Sequence, residues 1–260
     1  LDAILSHLNQ DSQEKPTLIL LDEVTICASN IIKISPDECY QLLNSLRRFR
    51  DAYPNIRWML TGSIGLDHFA KHHQVSGAFN NLHPFLIEPF NAQIATDFVN
   101  HYCQQEVFDT FILDDEAHKH LQARLGWLSP YYLEKLCLQI LPTTANNKRI
   151  ADCKVIDQAC LKLLQHPHNQ AFSGWPEHLN RNISDDIRPS CKAILNKLSE
   201  HDAGESRDSL RIQLEPEYTP EQVREALNIL SNDGFIKKQP NGKYHFVMQL
   251  LANYWQEYQA

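Results

Sequence analysis

Two adjacent acidic residues, Asp22 and Glu23, directly follow the apolar run Leu18-Ile19-Leu20-Leu21. A short apolar run of this kind, bounded by polar residues, predicts a buried β-strand. Carboxylates at the end of such a strand can contact Mg²⁺, but bound Mg²⁺ normally relies on substrate phosphates as further ligands. The pair therefore suits a site in which a metal-bound phosphate compound lies against the end of the strand.

A glycine-rich loop that cradles the phosphates would be the other half of such a site. The eight glycines stand at positions 62, 65, 77, 126, 174, 204, 234 and 242, and none opens a G-x-x-x-x-G-K-[ST] sequence. The sequence thus contains half of a nucleotide site. The chain also starts at Leu1 without a methionine, and we expect it to be a fragment of a longer protein.

The composition is that of a globular protein with reduced cysteines. The 260 residues, 43% of them hydrophobic, support one large domain or two to three small ones. There is neither a run of eighteen apolar residues nor an export signal, so we expect a cytoplasmic protein without membrane contact. A net charge of −8 disfavours nonspecific binding to nucleic acids or anionic lipids. Seven cysteines without a C-x-x-C pair indicate neither a disulfide framework nor a zinc ribbon.

The first third of the chain alternates strands with helices. Residues 17–21 are apolar throughout, which predicts a parallel strand covered on both faces. Ser35-Pro36-Asp37-Glu38 predicts a helix start with serine as N-cap and proline at the first helical position. Residues 55–60 predict a second strand, and residues 81–88 a third at a sheet edge, because Pro84 lacks a donor. This order predicts an α/β unit with a parallel sheet.

The remainder of the chain is predicted to be mainly helical. Helices are expected over residues 91–105, 114–125, 129–141, 152–165, 185–200, 205–214, from Thr219 to about Gly234, and over 248–258. Residues 165–176 predict an irregular stretch, and the Asn241-Gly242 turn predicts a hairpin of two short strands. Three domains are expected, covering residues 1–90, 91–180 and 181–260.

With these motifs in order, the chain resembles the bacterial and archaeal ATPases of the AAA+/STAND branch of the P-loop NTPases. Residues 17–23 resemble their Walker B element, and residues 57–65 resemble their sensor 1 strand and turn. Residues 86–90 resemble the junction into the helical lid, and Gly126 to Leu133 resemble the lid motif G-x-x-P-x-x-L. The helices and hairpin after residue 181 are similar to the winged helix that follows the lid in these ATPases.

The resemblance implies a fold and a set of roles. The fold is α/β with a partial P-loop NTPase parallel sheet, followed by an all-α lid and a winged helix, and mostly helical overall. Asp22 would hold Mg²⁺ through water, Glu23 would polarise the attacking water and Ser63 would sense the γ-phosphate. Pro130 would lie near the nucleotide base. Where some relatives carry an arginine before the lid, this chain has Asn80 and Asn81.

The function that the resemblance implies is the C-terminal portion of a regulatory ATPase, an ATP-driven switch. ATP and Mg²⁺ are the expected cofactors, but only together with the missing Walker A segment, so we expect the chain alone to be inactive. Without the loop-bearing strand, two strand edges stay unpaired, and each lost hydrogen bond costs about 1–3 kcal/mol. We therefore expect a reorganised sheet or a partner in the gap, either an N-terminal segment of the same protein or a second copy in a homo-oligomer.

A winged helix also raises the alternative of a DNA-binding protein with a degenerate ATPase-like core. Residues 183–260 carry twelve acidic and nine basic residues, and only Lys237, Lys238 and Lys243 on the wing are suited to phosphate contacts. Docking to a protein partner needs no basic face, and we expect it more than DNA contact. A non-catalytic oligomerisation scaffold is a third possibility.

Two further groups of residues have both a functional and a structural interpretation. Arg47, Arg48 and Arg50 could reach into a neighbouring subunit's site, but a run of this kind is more often a solvated helix face. His68 and His72 have a spacing compatible with a metal, but no carboxylate or thiol clearly joins them. The sequence favours the structural interpretation for both groups.

Overall fold

A computed structural model of the chain describes residues 1–62, 66–103, 111–140 and 150–259. Ser63, the predicted γ-phosphate sensor, lies outside the described residues, and so do the side chains of His68 and His72. The backbone divides into two compact units, Leu1–Phe85 and Leu86–Ala260. The predicted boundary between a lid and a winged helix near residue 180 stays a prediction.

The first unit contains the predicted parallel strand pair. Strand β1 (Thr17–Leu21) pairs with β2 (Ile56–Leu60), with Thr17 opposite Ile56 and Leu21 opposite Leu60. Both strands therefore end at the same edge of the sheet, where Asp22 follows β1 and Thr61 follows β2. The prediction of a parallel α/β unit is confirmed.

Four helices accompany these strands: α1 (Asp2–Asp11), α2 (Val24–Ile34), α3 (Pro36–Ala52) and α4 (Leu66–His72). Helix α3 begins where the sequence predicts, because the Ser35 hydroxyl accepts a hydrogen bond from the Glu38 amide at 3.3 Å. Helix α2 was not predicted, since no capping residue precedes it. It starts immediately after Glu23, so the acidic pair lies in a sharp strand-to-helix turn.

The prediction that β1 is covered on both faces is wrong for the described chain. Ile19 and Trp58 face a small core formed with Ile56 of β2, Leu5 of α1 and Phe49 of α3. The opposite face of the sheet carries the exposed side chains of Leu18, Leu20 and Met59. The apolar pattern of β1 was thus correct, but the described residues provide helical cover for one face alone.

The predicted third strand over residues 81–88 is absent. Residues 82–90 have no regular secondary structure, and no described residue pairs with them in a sheet. Phe85, Leu86 and Ile87 are largely exposed. Apolar side chains alone do not make a strand, because the backbone donors and acceptors need a neighbouring strand as well.

Five α-helices form the first part of the second unit: α5 (Ala92–Cys103), α6 (Asp115–Leu125), α7 (Pro130–Gln139), α8 (Cys153–Leu164) and α9 (Gly174–Asn182). The first four lie close to their predicted positions. Asp114 and Asp152 accept hydrogen bonds from Ala117 N and Val155 N, at 2.8 and 3.0 Å, and so cap α6 and α8. The stretch predicted to be irregular instead holds a 3₁₀ helix (His168–Phe172) and the start of α9.

Three helices and a small antiparallel sheet follow. The helices are α10 (Arg188–Ser199), α11 (Arg207–Leu214) and α12 (Pro220–Asn232), and the strands are β3 (Glu205–Ser206), β4 (Ile236–Lys238) and β5 (Lys243–Phe246). The sheet order is β3-β5-β4. The helix predicted from residue 205 starts two residues later, because Glu205 and Ser206 pair with Tyr244 and Lys243. Helix α13 (Gln249–Tyr258) completes the unit.

One hydrophobic core runs through the second unit, from Ala95 on α5 to Trp255 on α13. Phe172, Phe235 and Trp255 are among its largest fully buried side chains. Within the described ranges, the chain contains no helix that combines the length and the apolar character needed to cross a membrane.

Candidate functional site: the acidic turn after β1

Asp22 lies at the carboxyl edge of the sheet, between the ends of both strands. Its Oδ1 atom accepts hydrogen bonds from the Thr61 hydroxyl and, at 3.0 Å, from the Glu23 amide. Thr61 follows β2, so this contact joins the two strand ends through side chains. The Asp22 side chain is exposed and can meet a ligand above the edge of the sheet.

Glu23 occupies a strained turn. Its φ is 53°, in the left-handed region, which residues other than glycine adopt with a cost of about 1–3 kcal/mol. Backbone bonds on both sides hold the turn, from Thr61 N to the Leu21 carbonyl at 2.9 Å and from Val24 N to the Thr61 carbonyl at 3.0 Å. Such strain persists only where the surrounding structure fixes the backbone, and here it sets the half-buried Glu23 beside Asp22.

The acidic turn suits a metal only in combination with other ligands. Among the described residues, no group of three or more His, Cys, Asp or Glu side chains could hold a metal ion. A Mg²⁺ ion here would keep several waters and would need phosphate oxygens as further ligands. Asp22 and Glu23 fit the outer contact to such an ion and to its water.

Arg47 is exposed, as the sequence favours, and Arg50 is half-buried, but both side chains also bind residues 77–81. The Arg47 guanidinium donates to the Gly77 carbonyl at 2.5 Å. Arg50 donates to the Ala78 carbonyl. It also donates twice to the Asn81 side-chain oxygen, at 2.9 and 3.1 Å, and Asn81 in turn donates to Asp51 at 2.8 Å. These contacts fasten residues 77–81 to α3, and partial burial lowers the pKa of Arg50.

Pro130 is the first residue of α7 and is exposed. The loop before it turns at Gly126, whose φ is +74°. The loop is also anchored to the start of the second unit, because Phe90 N donates to the Leu128 carbonyl at 3.0 Å. The structure thus presents Pro130 at a defined surface position, as both a helix-starting proline and a base contact require.

The three wing lysines differ in their surroundings. Lys237 is exposed on β4. The Lys238 ammonium lies 5.8 Å from the centre of the Tyr244 ring, and the Lys243 ammonium donates to the Ala203 carbonyl at 3.4 Å. On the exposed face of α12, Arg224 is paired with Glu221 through two hydrogen bonds.

The predicted residues therefore fall into separate places. Asp22 and Glu23 lie together in the first unit, whereas Pro130 and the three lysines lie in the second. Sequence reasoning missed Thr61 as the partner of Asp22 and Asn81 as the partner of Arg50. Thr61 could have been found, since in-register parallel strands place the residues after β1 and β2 at one edge. Asn81 sits in a loop and carried no such signal.

A solved structure similar to this chain is that of a Walker-type ATPase from Pyrococcus abyssi. The TM-score is 0.66 at 17% sequence identity, and the match covers 98% of this chain and 67% of that chain. No protein-family model and no curated protein sequence matches the chain. The structural likeness shows the fold alone: the described chain is mostly helical with a small parallel sheet, an architecture that it shares with this Walker-type ATPase.

Proposed function

We propose that the chain is the C-terminal portion of an ATP-driven switch of the AAA+/STAND branch. The observation that carries the proposal is the acidic turn, in which Asp22 and Glu23 close β1 at the edge that they share with Thr61. The likeness to a Walker-type ATPase supports it. ATP and Mg²⁺ are the proposed cofactors, and the cytoplasm is the proposed location.

The proposed roles follow the chemistry of phosphoryl transfer. Asp22 contacts Mg²⁺ through water, Glu23 orients the attacking water, and Ser63 senses the γ-phosphate. Pro130 contacts the base. The phosphates themselves need a loop with backbone donors and a lysine, which the sequence lacks.

The proposed partner is a segment that carries this phosphate loop, with a strand before it and a helix after it. Two features support this choice. The face with Leu18, Leu20 and Met59 is apolar and exposed, whereas parallel sheets are normally covered on both faces. The exposed apolar residues Phe85, Leu86 and Ile87 also have no described strand beside them. Two sources are proposed for the segment: an N-terminal stretch of the same protein, or another copy of the chain in a homo-oligomer.

The direct test compares the chain alone with the chain fused, before Leu1, to the strand, phosphate loop and helix of the Pyrococcus abyssi ATPase. We expect the chain alone to show no binding of Mg-ATP in calorimetry and no hydrolysis. The fusion should bind Mg-ATP, and Glu23→Gln should retain binding but lose hydrolysis. A turnover of about 1 s⁻¹ by the chain alone, or equal hydrolysis by the Glu23→Gln fusion, would refute the assignment of the site.

The exposed apolar face of the sheet, formed by Leu18, Leu20 and Met59 and here called the bare face, has its own test. Leu20→Lys places a charge on this face, and Ile4→Lys places one on α1 at the same 62% exposure. Both variants should unfold within about 0.5 kcal/mol of the parent chain, because exposed positions tolerate substitution. Only Leu20→Lys should weaken Mg-ATP binding by the fusion. Equal binding by both variants would show that the added helix does not cover this face.

The C-terminal helices and sheet are proposed to act as a winged helix that docks a protein. The exposed face of α12 supports protein docking over DNA contact, since Glu221, Glu225 and the paired Arg224 offer no excess positive charge. A labelled duplex should therefore show no shift at low salt. A salt-dependent shift that disappears when Lys237, Lys238 and Lys243 are changed to Glu would support the DNA-binding alternative instead.

A further inference from the structure

The loop between α6 and α7, residues 126–129, has few backbone hydrogen bonds to hold it in place. Gly126 N and Ser129 N bond within the α6–α7 connection, at 2.8 Å to Gln122 O and 2.9 Å to Trp127 O. Two further bonds reach the loop, from Phe90 N to the Leu128 carbonyl and from Leu133 N to the Ser129 carbonyl, both at 3.0 Å. Side-chain packing acts together with these bonds to fix the position of the loop and of Pro130 after it.

That packing is aromatic. Trp127 lies 5.8 Å from Trp175 and 6.1 Å from Tyr132, measured between ring centres. The Trp175 indole N–H donates to the Tyr132 hydroxyl at 2.5 Å, and this hydroxyl donates to the Ala171 carbonyl at 3.3 Å. The buried Tyr132 hydroxyl thus has both a donor and an acceptor, and burial raises its pKa to about 12.

The same rings continue into the C-terminal helices and sheet. Trp175 packs edge-on against Phe235, at 5.0 Å, and Phe235 precedes β4. Tyr132 stacks on Phe172 at 5.5 Å, and Phe172 stacks on Tyr254 of α13 at 5.3 Å. We call Trp127, Tyr132, Phe172, Trp175, Phe235 and Tyr254 the aromatic array. From Trp127 and Tyr132 the array follows two lines of ring contacts. One ends at Phe235, directly before β4, and the other ends at Tyr254 on α13.

The loop also meets the C-terminal part of the unit directly. A side chain at Gly126 would lie 3.7 Å from the Val247 carbonyl and 4.0 Å from the Met248 Cα, in the connection between β5 and α13. The loop, β4 and α13 therefore share one packed interior, although more than a hundred residues separate them in sequence. Closely packed interiors change between discrete arrangements rather than deform gradually.

We propose that Tyr132 and Trp175 are positioning residues that couple the loop of residues 126–129 to β4 and α13, so that these elements keep or change their arrangement together. An event at the C-terminal surface, such as the docking of a partner, would then shift the loop. A change at the loop would in turn affect the C-terminal surface through the same coupling free energy. The coupling is a property of the second unit. It does not require that the protein hydrolyse ATP.

Hydrogen exchange of the full chain without nucleotide tests the coupling from the loop side. Tyr132→Phe removes the acceptor of the Trp175 N–H. We expect amides in residues 126–133, in β4 and in α13 to exchange about tenfold faster, while α11, which holds no array residue, keeps its rate. The control is Tyr131→Phe, which removes an exposed hydroxyl from the neighbouring residue and should leave all rates unchanged.

Reciprocity supplies the second test, from the other end of the array. Tyr254→Leu removes the ring stacked on Phe172 and should accelerate exchange in residues 126–133. The control, Tyr258→Leu, removes a ring on the same helix that packs against Tyr254 at 5.2 Å and donates to the Leu164 carbonyl at 3.0 Å, so it should affect the ends of α13 and α8 but leave residues 126–133 unchanged. Faster exchange confined to α13 in Tyr254→Leu, or a uniform rise that includes α11, would overturn the proposal. Because no nucleotide is present, either result leaves the proposed function untouched.

Discussion

His178 and Asp233 form the most deeply buried ionisable pair among the described ion pairs. His178 Nε2 lies 3.1 Å from Asp233 Oδ2, and the Asp233 side chain is 2% exposed. Asn182 Nδ2 lies 2.8 Å from the other ring nitrogen of His178. The second Asp233 oxygen meets no hydrogen-bond donor among the described residues, so the carboxylate depends on this single side-chain partner. The pair ties α9 to the end of α12.

Removal of the histidine should therefore be costly. His178→Ala leaves a buried carboxylate without its partner, and we expect the free energy of unfolding to fall by about 3 kcal/mol in urea titrations. His7→Ala breaks a pair between two exposed side chains, His7 and Asp11, and should cost less than about 0.5 kcal/mol. Equal losses in the two variants would show that the His178–Asp233 pair contributes no more than a surface contact.

His118 predicts a dependence of stability on pH. Burial lowers its pKa, although Asp115 and Asp114 act in the opposite direction. The folded state therefore binds the proton less readily than the unfolded state, and stability should fall as the pH drops below the unfolded pKa of about 6.5. His118→Gln should flatten this fall between about pH 6.5 and pH 5 in thermal unfolding. An unchanged slope would assign the acid sensitivity to other groups.

What the sequence could reveal at this scale depends on how local the contact is. The acidic turn was predictable, because the strand pattern and the two acids are adjacent in sequence. The hydrogen bond from Arg50 to Asn81 was not predictable, because a helix residue and a loop residue thirty-one positions later share no sequence pattern. The burial of His178 against Asp233, fifty-five residues apart, was hidden for the same reason.

Several of the described helices start where a local side chain accepts a hydrogen bond from one of the first free amides. Ser35, Asp114, Asp152 and Thr219 each accept such a bond, and each helix was predicted within a few residues of its true start. Helix α2 was missed because it begins after the left-handed Glu23 rather than after a capping side chain. The third strand was wrongly predicted because a strand depends on a partner that its own residues do not specify.

The cap of α12 gives a prediction at the scale of the element. Thr219 and Gln222 form a reciprocal capping box, with bonds of 3.3 Å to Gln222 N and 2.9 Å to Thr219 N. Thr219→Ala should lower the free energy of unfolding by about 1 kcal/mol. The control is Ser129→Ala, since in the described chain the Ser129 side chain makes no capping bond, and its loss should be smaller. Equal destabilisation in urea titrations would contradict this account of α12.

At the scale of the whole molecule, the two units have very different cores. The first unit has two small clusters, one around Cys39 and Leu43 and one around Leu5, Phe49 and Ile56, and one bare apolar sheet face. The second has a single extensive core from Ala95 to Trp255. Hydrophobic stabilisation scales with the apolar area removed from water, so the first unit should be much the less stable. The sequence predicted apolar faces correctly but not which of them the chain itself covers.

Trp58 allows this difference to be measured, because the other three tryptophans, Trp127, Trp175 and Trp255, all lie in the second unit. The fluorescence difference between the parent chain and Trp58→Phe isolates the first unit, whereas far-ultraviolet circular dichroism is dominated by the helices of the second. We expect the Trp58 signal to change at a lower urea concentration than the main circular dichroism transition. Two separate transitions would mean that a single free energy of unfolding does not describe the chain. If the phosphate-loop fusion covers the bare face, the Trp58 transition should move to higher urea in the fusion. Coincident transitions in the unfused chain would show instead that the first unit derives its stability from the second.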